Sequence, residues 1–251
     1  MAFLAVSSLS KDFYGLKALD RLHFSLEQGE ILGIIGPNGA GKTTLFNIIS
    51  GLLRPTEGQI HFRGVPIHHL KPHQIAMAGI ARTFQIVKPF SNFTVLKNVL
   101  VALGHRFYPG LLSSAARFEK EAHVGEAREL LARVGVEAYQ GSIAKNLPLG
   151  FKKQLEIARA LALDPSLLLL DEPMAGLQYE ESERLAGLIR RLQEEGISII
   201  LIEHNMQAVM DLSERIVVLD HGVKIAEGSP EEIRTNPQVI EAYIGREERV
   251  A

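Results

Sequence analysis

The chain has 251 residues, 46% of them hydrophobic and 22% charged, with a formal net charge of −2. That balance supports one large or two small folded domains, and it excludes a disordered chain or one held to nucleic acid by bulk positive charge. The absence of cysteine excludes disulfides and thiolate metal sites and fits a reducing compartment.

The opening stretch MAFLAVSSLSKDF lacks a basic segment followed by a long apolar run, so it does not read as a secretory signal. The apolar runs ILGII, LLLL and ISIILI fall far below the roughly 18 residues of a spanning helix. A soluble chain is expected, with any membrane role coming through a partner.

Alternation predicts short strands over Val6–Phe13 and Leu22–Leu26. Ile31–Ile35 is continuously apolar, as a buried strand requires. A glycine-rich turn follows, then a helix through TTLFNIISGLL that closes near Gly51. Gln59–Arg63 and Ile67 read as strand, with turn signals at Gly58 and Gly64–Val65–Pro66. From Ser91 to about Tyr139 the pattern turns helical, over Val95–Leu103 and Glu119–Val134, with the loop FYPGLLSS between. Helix is then expected at Leu155–Leu163, Glu180–Glu195 and Gln207–Ser213, and buried strand at Leu167–Leu170 and Ile197–Ile202. Arg215–Asp220 and Lys224–Glu227 flank His221–Gly222 as a hairpin, and Pro230–Tyr243 finishes in short helices. Buried strands alternating with helices imply an α/β fold with a mostly parallel sheet, and the early strands an antiparallel addition.

GPNGAGKT, Gly36 to Thr43, matches the phosphate-loop pattern G-x-x-x-x-G-K-[ST] between a predicted strand and a predicted helix. Glycines let backbone N–H groups turn inward on phosphate oxygens, and the helix N-terminus adds partial positive charge. Gly36, Pro37, Asn38, Gly39, Ala40, Gly41, Lys42, Thr43 and Thr44 form the expected nucleotide-binding set. Lys42 suits the β- and γ-phosphates of ATP, and the Thr43 hydroxyl suits Mg²⁺.

LLLLDEP ends an apolar strand in two carboxylates, which are costly there unless paired or used. Asp171 suits the Mg²⁺ shell, and Glu172 suits a general base acting on the attacking water. Two solvated acids at a strand-end turn are the plainer alternative. Gln85, in IARTFQ, offers an amide for Mg²⁺ or reads as a surface glutamine. His204, in IILIEHNM, can hydrogen-bond a γ-phosphate or the attacking water, or reads as a strand-end structural histidine. His61, His68, His69 and His73 cluster without ligand spacing and read as surface histidines.

Together these segments resemble an ATP-binding cassette ATPase, the nucleotide-binding subunit of ABC transporters, over nearly the whole chain. The resemblance implies a P-loop NTPase core with an antiparallel β-subdomain and a helical subdomain. Residues 1–251 would form one ABC ATPase domain, with approximately 91–165 as the helical subdomain. It makes Gln85 the Q-loop glutamine, LLLLDEP the Walker B strand and His204 the switch histidine. An N-terminal aromatic would stack on adenine, with Phe13 the best positional match and Tyr14 the alternative.

GIARTFQ, FSNFTVLKNVLVAL, LEIARAL, LIEHNM and KIAEGSPEEIRTNPQVIEAYIG are further similar to branched-chain amino acid importer ATPases. They look like the longer of that importer's two ATPase subunits. ATPases of urea, amide and lipopolysaccharide systems share much of the pattern, and a soluble ABC ATPase without a transport role is a further alternative. The resemblance implies integral membrane permeases as partners, a homodimer or a heterodimer with a second ABC ATPase, and indirect work with a substrate-binding protein. Nucleic acid is not an expected partner. The expected location is peripheral, on the cytoplasmic face of the inner membrane.

The family signature LSGGQ reads Leu147, Pro148, Leu149, Gly150 and Phe151 here, and the loop SALD reads Ala175–Gln178. Leu147 and Gly150 are expected to face a nucleotide held by a dimer partner. Lys152 and Lys153 open a predicted helix, where the dipole disfavours cations, and a triphosphate would offset them. The altered signature implies a slow ATPase or a composite site paired with a more regular one.

Overall fold

The computed structural model describes residues 2–84, 88–107 and 121–244. Gln85 and all but the first residue of FYPGLLSS lie outside the described residues.

β1 (Leu4–Phe13) and β2 (Leu16–Leu26) form a hairpin closed by Tyr14 and Gly15. Both turn residues have positive φ, 52° and 91°, the geometry whose twist matches two paired strands. The hairpin is longer than alternation predicts, because register shifts along it break the period of two. β3 (Ile31–Ile35) then leads into α1 (Lys42–Ile49). β4 (Glu57–Phe62) and β5 (Val65–Pro66) complete an antiparallel sheet of order β2-β1-β4-β5. Val65–Pro66, expected as turn, is thus an edge strand, a position where proline's missing N–H is tolerated.

Among the strands and α-helices, two short ones escape sequence reading: α2 (Pro72–Met77) and β6 (Ile80–Arg82). Each is too short to show a period. α3 (Val95–Phe107), α4 (Glu121–Arg133) and α5 (Leu149–Leu161) form the helical stretch. β7 (Leu167–Asp171), α6 (Tyr179–Glu194), β8 (Ser198–Ile202), α7 (Met206–Leu212), β9 (Arg215–Asp220) and β10 (Val223–Gly228) follow. α8 (Pro230–Thr235) and α9 (Pro237–Ile244) complete the described chain. The second sheet has the order β10-β9-β3-β8-β7-β6, parallel except for the β9–β10 hairpin.

Every residue of β3, β7 and β8 is buried, which explains their unbroken apolar runs. Alternate side chains serve opposite faces. Leu168, Leu170, Ile199 and Leu201 join the core beneath α3 to α6. Leu167, Leu169, Ile200 and Ile202 join the core shared with α1 and the antiparallel sheet. A third cluster packs Ile35, Ile216 and Val218 against α7 to α9. The Arg215 guanidinium donates to both Glu30 carboxylate oxygens, at 2.9 and 3.0 Å, and to the Ser25 carbonyl at 2.7 Å, which ties the two sheets together.

Tyr243 of α9 packs on this third cluster. Burial pushes its phenol up to about 12, against a hydrogen bond with the Gly36 amide and with help from the Asp220 charge. A folded pKa above the ordinary 10.0 contributes stability that is complete below that pH and is lost as pH rises through about 12. Alkaline titration of phenolate absorbance should therefore show a late step near pH 12 that Tyr243→Phe removes. An unchanged titration in that variant would refute the assignment.

Candidate active site

The loop from β3 to α1 depends on glycine at two points. A Cβ on Gly36, at φ 151°, would lie 2.1 Å from the Leu219 carbonyl oxygen. One on Gly41, at φ 102°, would lie 2.5 Å from the Ala18 carbonyl oxygen. Both obstacles are backbone and cannot swing aside. α1 starts at Gly41 with no side-chain cap and no acid in its first turn. Its first amide donors and the positive end of its dipole are therefore left for an anion.

Lys42 is buried, and its Nζ donates to the carbonyls of Gly36 at 2.6 Å and Pro37 at 3.0 Å. Burial pushes the ammonium pKa down, and the Glu172 and Asp171 charges oppose that shift. Asn38, Gly39, Thr43, Thr44, Glu172 and His204 line one cavity of about 320 Å³ with Lys42.

The two strand-end acids have separate environments. Asp171 is the last residue of β7 and pairs with Arg82 at 2.8 Å, both side chains 6% exposed. Arg82 Nη1 also donates to Asn47 Oδ1 at 2.8 Å and Ser50 Oγ at 3.0 Å, both in or just after α1. Its guanidinium lies over the rings of Phe46 and Phe84, at 5.4 and 5.2 Å. Sequence reading passed over Arg82. The available signal was the one that singled out Asp171, a charge at the end of an apolar stretch.

Glu172 has φ 49°, a left-handed conformation that costs a non-glycine residue about 1–3 kcal/mol and tends to mark functional sites. Its Oε1 lies 2.8 Å from His204 Nε2, so the strand-end acid and the strand-end histidine meet directly. Glu203, buried beside His204, accepts from the Met174 amide at 2.6 Å and the His204 amide at 3.2 Å. Burial pushes its carboxyl pKa up against those bonds.

Other expected residues lie elsewhere. Phe13 sits at the end of β1 beneath Lys11, whose Nζ is 5.0 Å from the ring centroid, and Tyr14 is fully exposed at the turn. Leu147 and Gly150 do not line the phosphate-loop cavity. The Leu147 side chain is buried in the helical core. Gly150 is in the first turn of α5, which starts at Pro148 without a side-chain cap. Phe151 turns inward onto Tyr139, with ring centroids 4.5 Å apart. Leu149 remains exposed.

One expectation needs correction. Lys153 does not face outward toward an anion. It is buried, and its Nζ donates to the Glu172 carbonyl at 2.9 Å.

Residues 19–175 match the family model described as ABC transporter. The chain belongs to the ABC transporter family. Residues 223–249 of this cassette also match a model described as branched-chain amino acid ATP-binding cassette transporter. It is 42% identical to the high-affinity branched-chain amino acid transport ATP-binding protein BraF of Pseudomonas aeruginosa, covering 96% of this chain and 97% of that one. The corresponding LivG protein of Escherichia coli K12 is also 42% identical, with the same coverage. A probable LivG of Archaeoglobus fulgidus is 39% identical over 99% of this chain and 97% of its own. Among solved structures, a nucleotide-free cassette from an ABC transporter superposes with a TM-score of 0.87 at 33% identity, covering 98% of this chain and 100% of that one. The ADP conformation of an ABC transporter cassette superposes at 0.88 and 32% identity, covering 98% and 99%. The cassette is an α/β nucleotide-binding fold of the same kind.

The Arg82–Asp171 pair yields a stability test. Removing one partner of a buried pair leaves an uncompensated charge, which costs about 3–5 kcal/mol. Arg82→Met should lose that much in denaturant unfolding at neutral pH, and adding Asp171→Asn should recover most of it. Equal stability of the single and double variants would show that the charge pair is not the cause.

Proposed function

We propose that the chain is the ATP-hydrolysing subunit of an ABC transporter that takes up small solutes, branched-chain amino acids foremost, through partner membrane permeases. The observation that carries the activity is the single cavity shared by the phosphate loop, Glu172 and His204. The substrate class rests on similarity to BraF and LivG over nearly the full length.

The uncapped start of α1 and the folded-back Lys42 suit the phosphates of ATP. In the bound state, phosphate oxygens would take over ammonium donors now held by the Gly36 and Pro37 carbonyls. The oxygen ligands Thr43, Asp171 and Gln85 suit Mg²⁺, a hard cation. When bound, it neutralises charge on the β- and γ-phosphates. Glu172 acts as the general base toward the attacking water, and His204 orients its carboxylate and adds a donor on the γ-phosphate side. Phe13, or Tyr14, stacks on adenine.

Residues 1–251 act as one ABC ATPase domain, with approximately 91–165 as its helical subdomain. Leu147, through its backbone, and Gly150 meet the nucleotide of a second cassette, identical or homologous, in a head-to-tail dimer. Among the described residues no helix is long and apolar enough to cross a membrane. The chain works peripherally, on the cytoplasmic face of the inner membrane, bound to permeases and served indirectly by a substrate-binding protein.

Three measurements test this reading. Glu172→Gln should abolish steady-state ATP hydrolysis while ATP still binds, and normal turnover would remove Glu172 as base. Phe151→Gln should lower thermal stability through loss of the Tyr139 contact and leave the hydrolysis rate of the folded fraction nearly unchanged. A large rate increase would instead make Phe151 a brake on turnover. Pull-down from membranes should recover integral membrane permeases, and recovery of none would favour a soluble ATPase without a transport role.

A further inference from the structure

Glu172 is pinned from several sides. Its amide donates to the Ile202 carbonyl of β8 at 2.9 Å. Its carbonyl accepts from the Ala175 amide at 3.2 Å, which closes a turn, and from Lys153 Nζ at 2.9 Å. Its side chain meets His204. Three of these contacts come from the strand-and-turn framework that carries the site. Lys153 comes from α5, the helix that starts in the altered signature stretch.

We infer that Lys153 is a positioning residue for Glu172: its ammonium, carried on α5, holds the left-handed backbone turn that aims the carboxylate into the phosphate-loop cavity. The inference rests on Glu172 being the general base.

The electrostatics around Lys153 support it. Burial pushes the Lys153 pKa down, and the charges of Glu203, Glu172, Glu156 and Asp171 oppose that shift. Four carboxylates thus act on one buried cation. Glu203 in turn fixes the Met174 and His204 amides, on either side of the Glu172–His204 contact. A neutral side chain at 153 removes a strong donor from the Glu172 carbonyl and one buried cation from among the acids. The strained φ of Glu172 then loses a restraint, and its carboxylate loses its aim. Small misplacements of a reacting group cost much more in turnover than in binding.

The test uses the full-length chain with Lys153→Met, Lys153→Arg and Glu172→Gln, measuring kcat, KM, nucleotide affinity with a fluorescent ATP analogue, and amide exchange. Lys153→Met should lower kcat about tenfold or more with KM and nucleotide affinity unchanged. Lys153→Arg, which keeps a donor cation, should restore most of kcat. Amide exchange in Lys153→Met should rise over residues 171–175 and not over the phosphate loop. An unchanged kcat, unchanged exchange over residues 171–175, or a parallel loss of kcat and affinity without rescue by arginine would overturn the inference. If Glu172→Gln abolishes turnover while Lys153→Met does not lower it, the positioning role alone fails. If Glu172→Gln turns over normally, the base assignment fails and the positioning role fails with it.

Discussion

β3, β7 and β8 are buried along their whole length, with side chains packed on both faces of the sheet. An unpaired polar group in such a strand costs several kcal/mol, on the order of a full desolvation penalty, so charge collects at the strand ends. The strands are parallel, so their carboxyl ends share one edge. The phosphate loop follows β3, Asp171 ends β7 and Glu172 comes next, Glu203 and His204 follow β8, and Arg82 ends β6. The exclusion of charge from the sheet interior thus assembles the site, in the crevice where open α/β sheets bind ligands.

The charges at that edge form a network across elements. Arg82 links Asp171 to α1 through Asn47. His204 links β8 to Glu172, and Lys153 links α5 to the same residue. These links join residues 19 to 89 positions apart in the chain. The site's geometry therefore depends on how the helices sit on the sheet.

Much of the fold was legible because its strands are continuous apolar runs and its longer helices are periodic. The glycines of the phosphate loop were legible because few sequences satisfy that backbone path, and the positions of Gly36 and Gly41 against the Leu219 and Ala18 carbonyls show why. β6 and α2 were not legible, since neither spans enough residues for a period to register. Arg82 was missed because a single arginine in a short strand looks like a surface residue until Asp171 is placed beside it. Val65–Pro66 looked like a turn because proline punctuates most sequences, and only its pairing with His61 and Phe62 makes it a strand.

The sequence by itself determined the phosphate loop, the acid pair at the end of β7, the histidine after β8 and the order of buried strands. These are local facts, set by spacing and by what a buried strand tolerates. Tertiary structure decided what each acid meets. Asp171 is held by Arg82, 89 positions away in sequence, and Glu172 meets His204 across 32. It also decided the direction of Lys153. A helix start with two lysines reads as facing an anion, but side-chain direction is set by which face of α5 packs on the core. That face carries Lys153 inward to the Glu172 carbonyl.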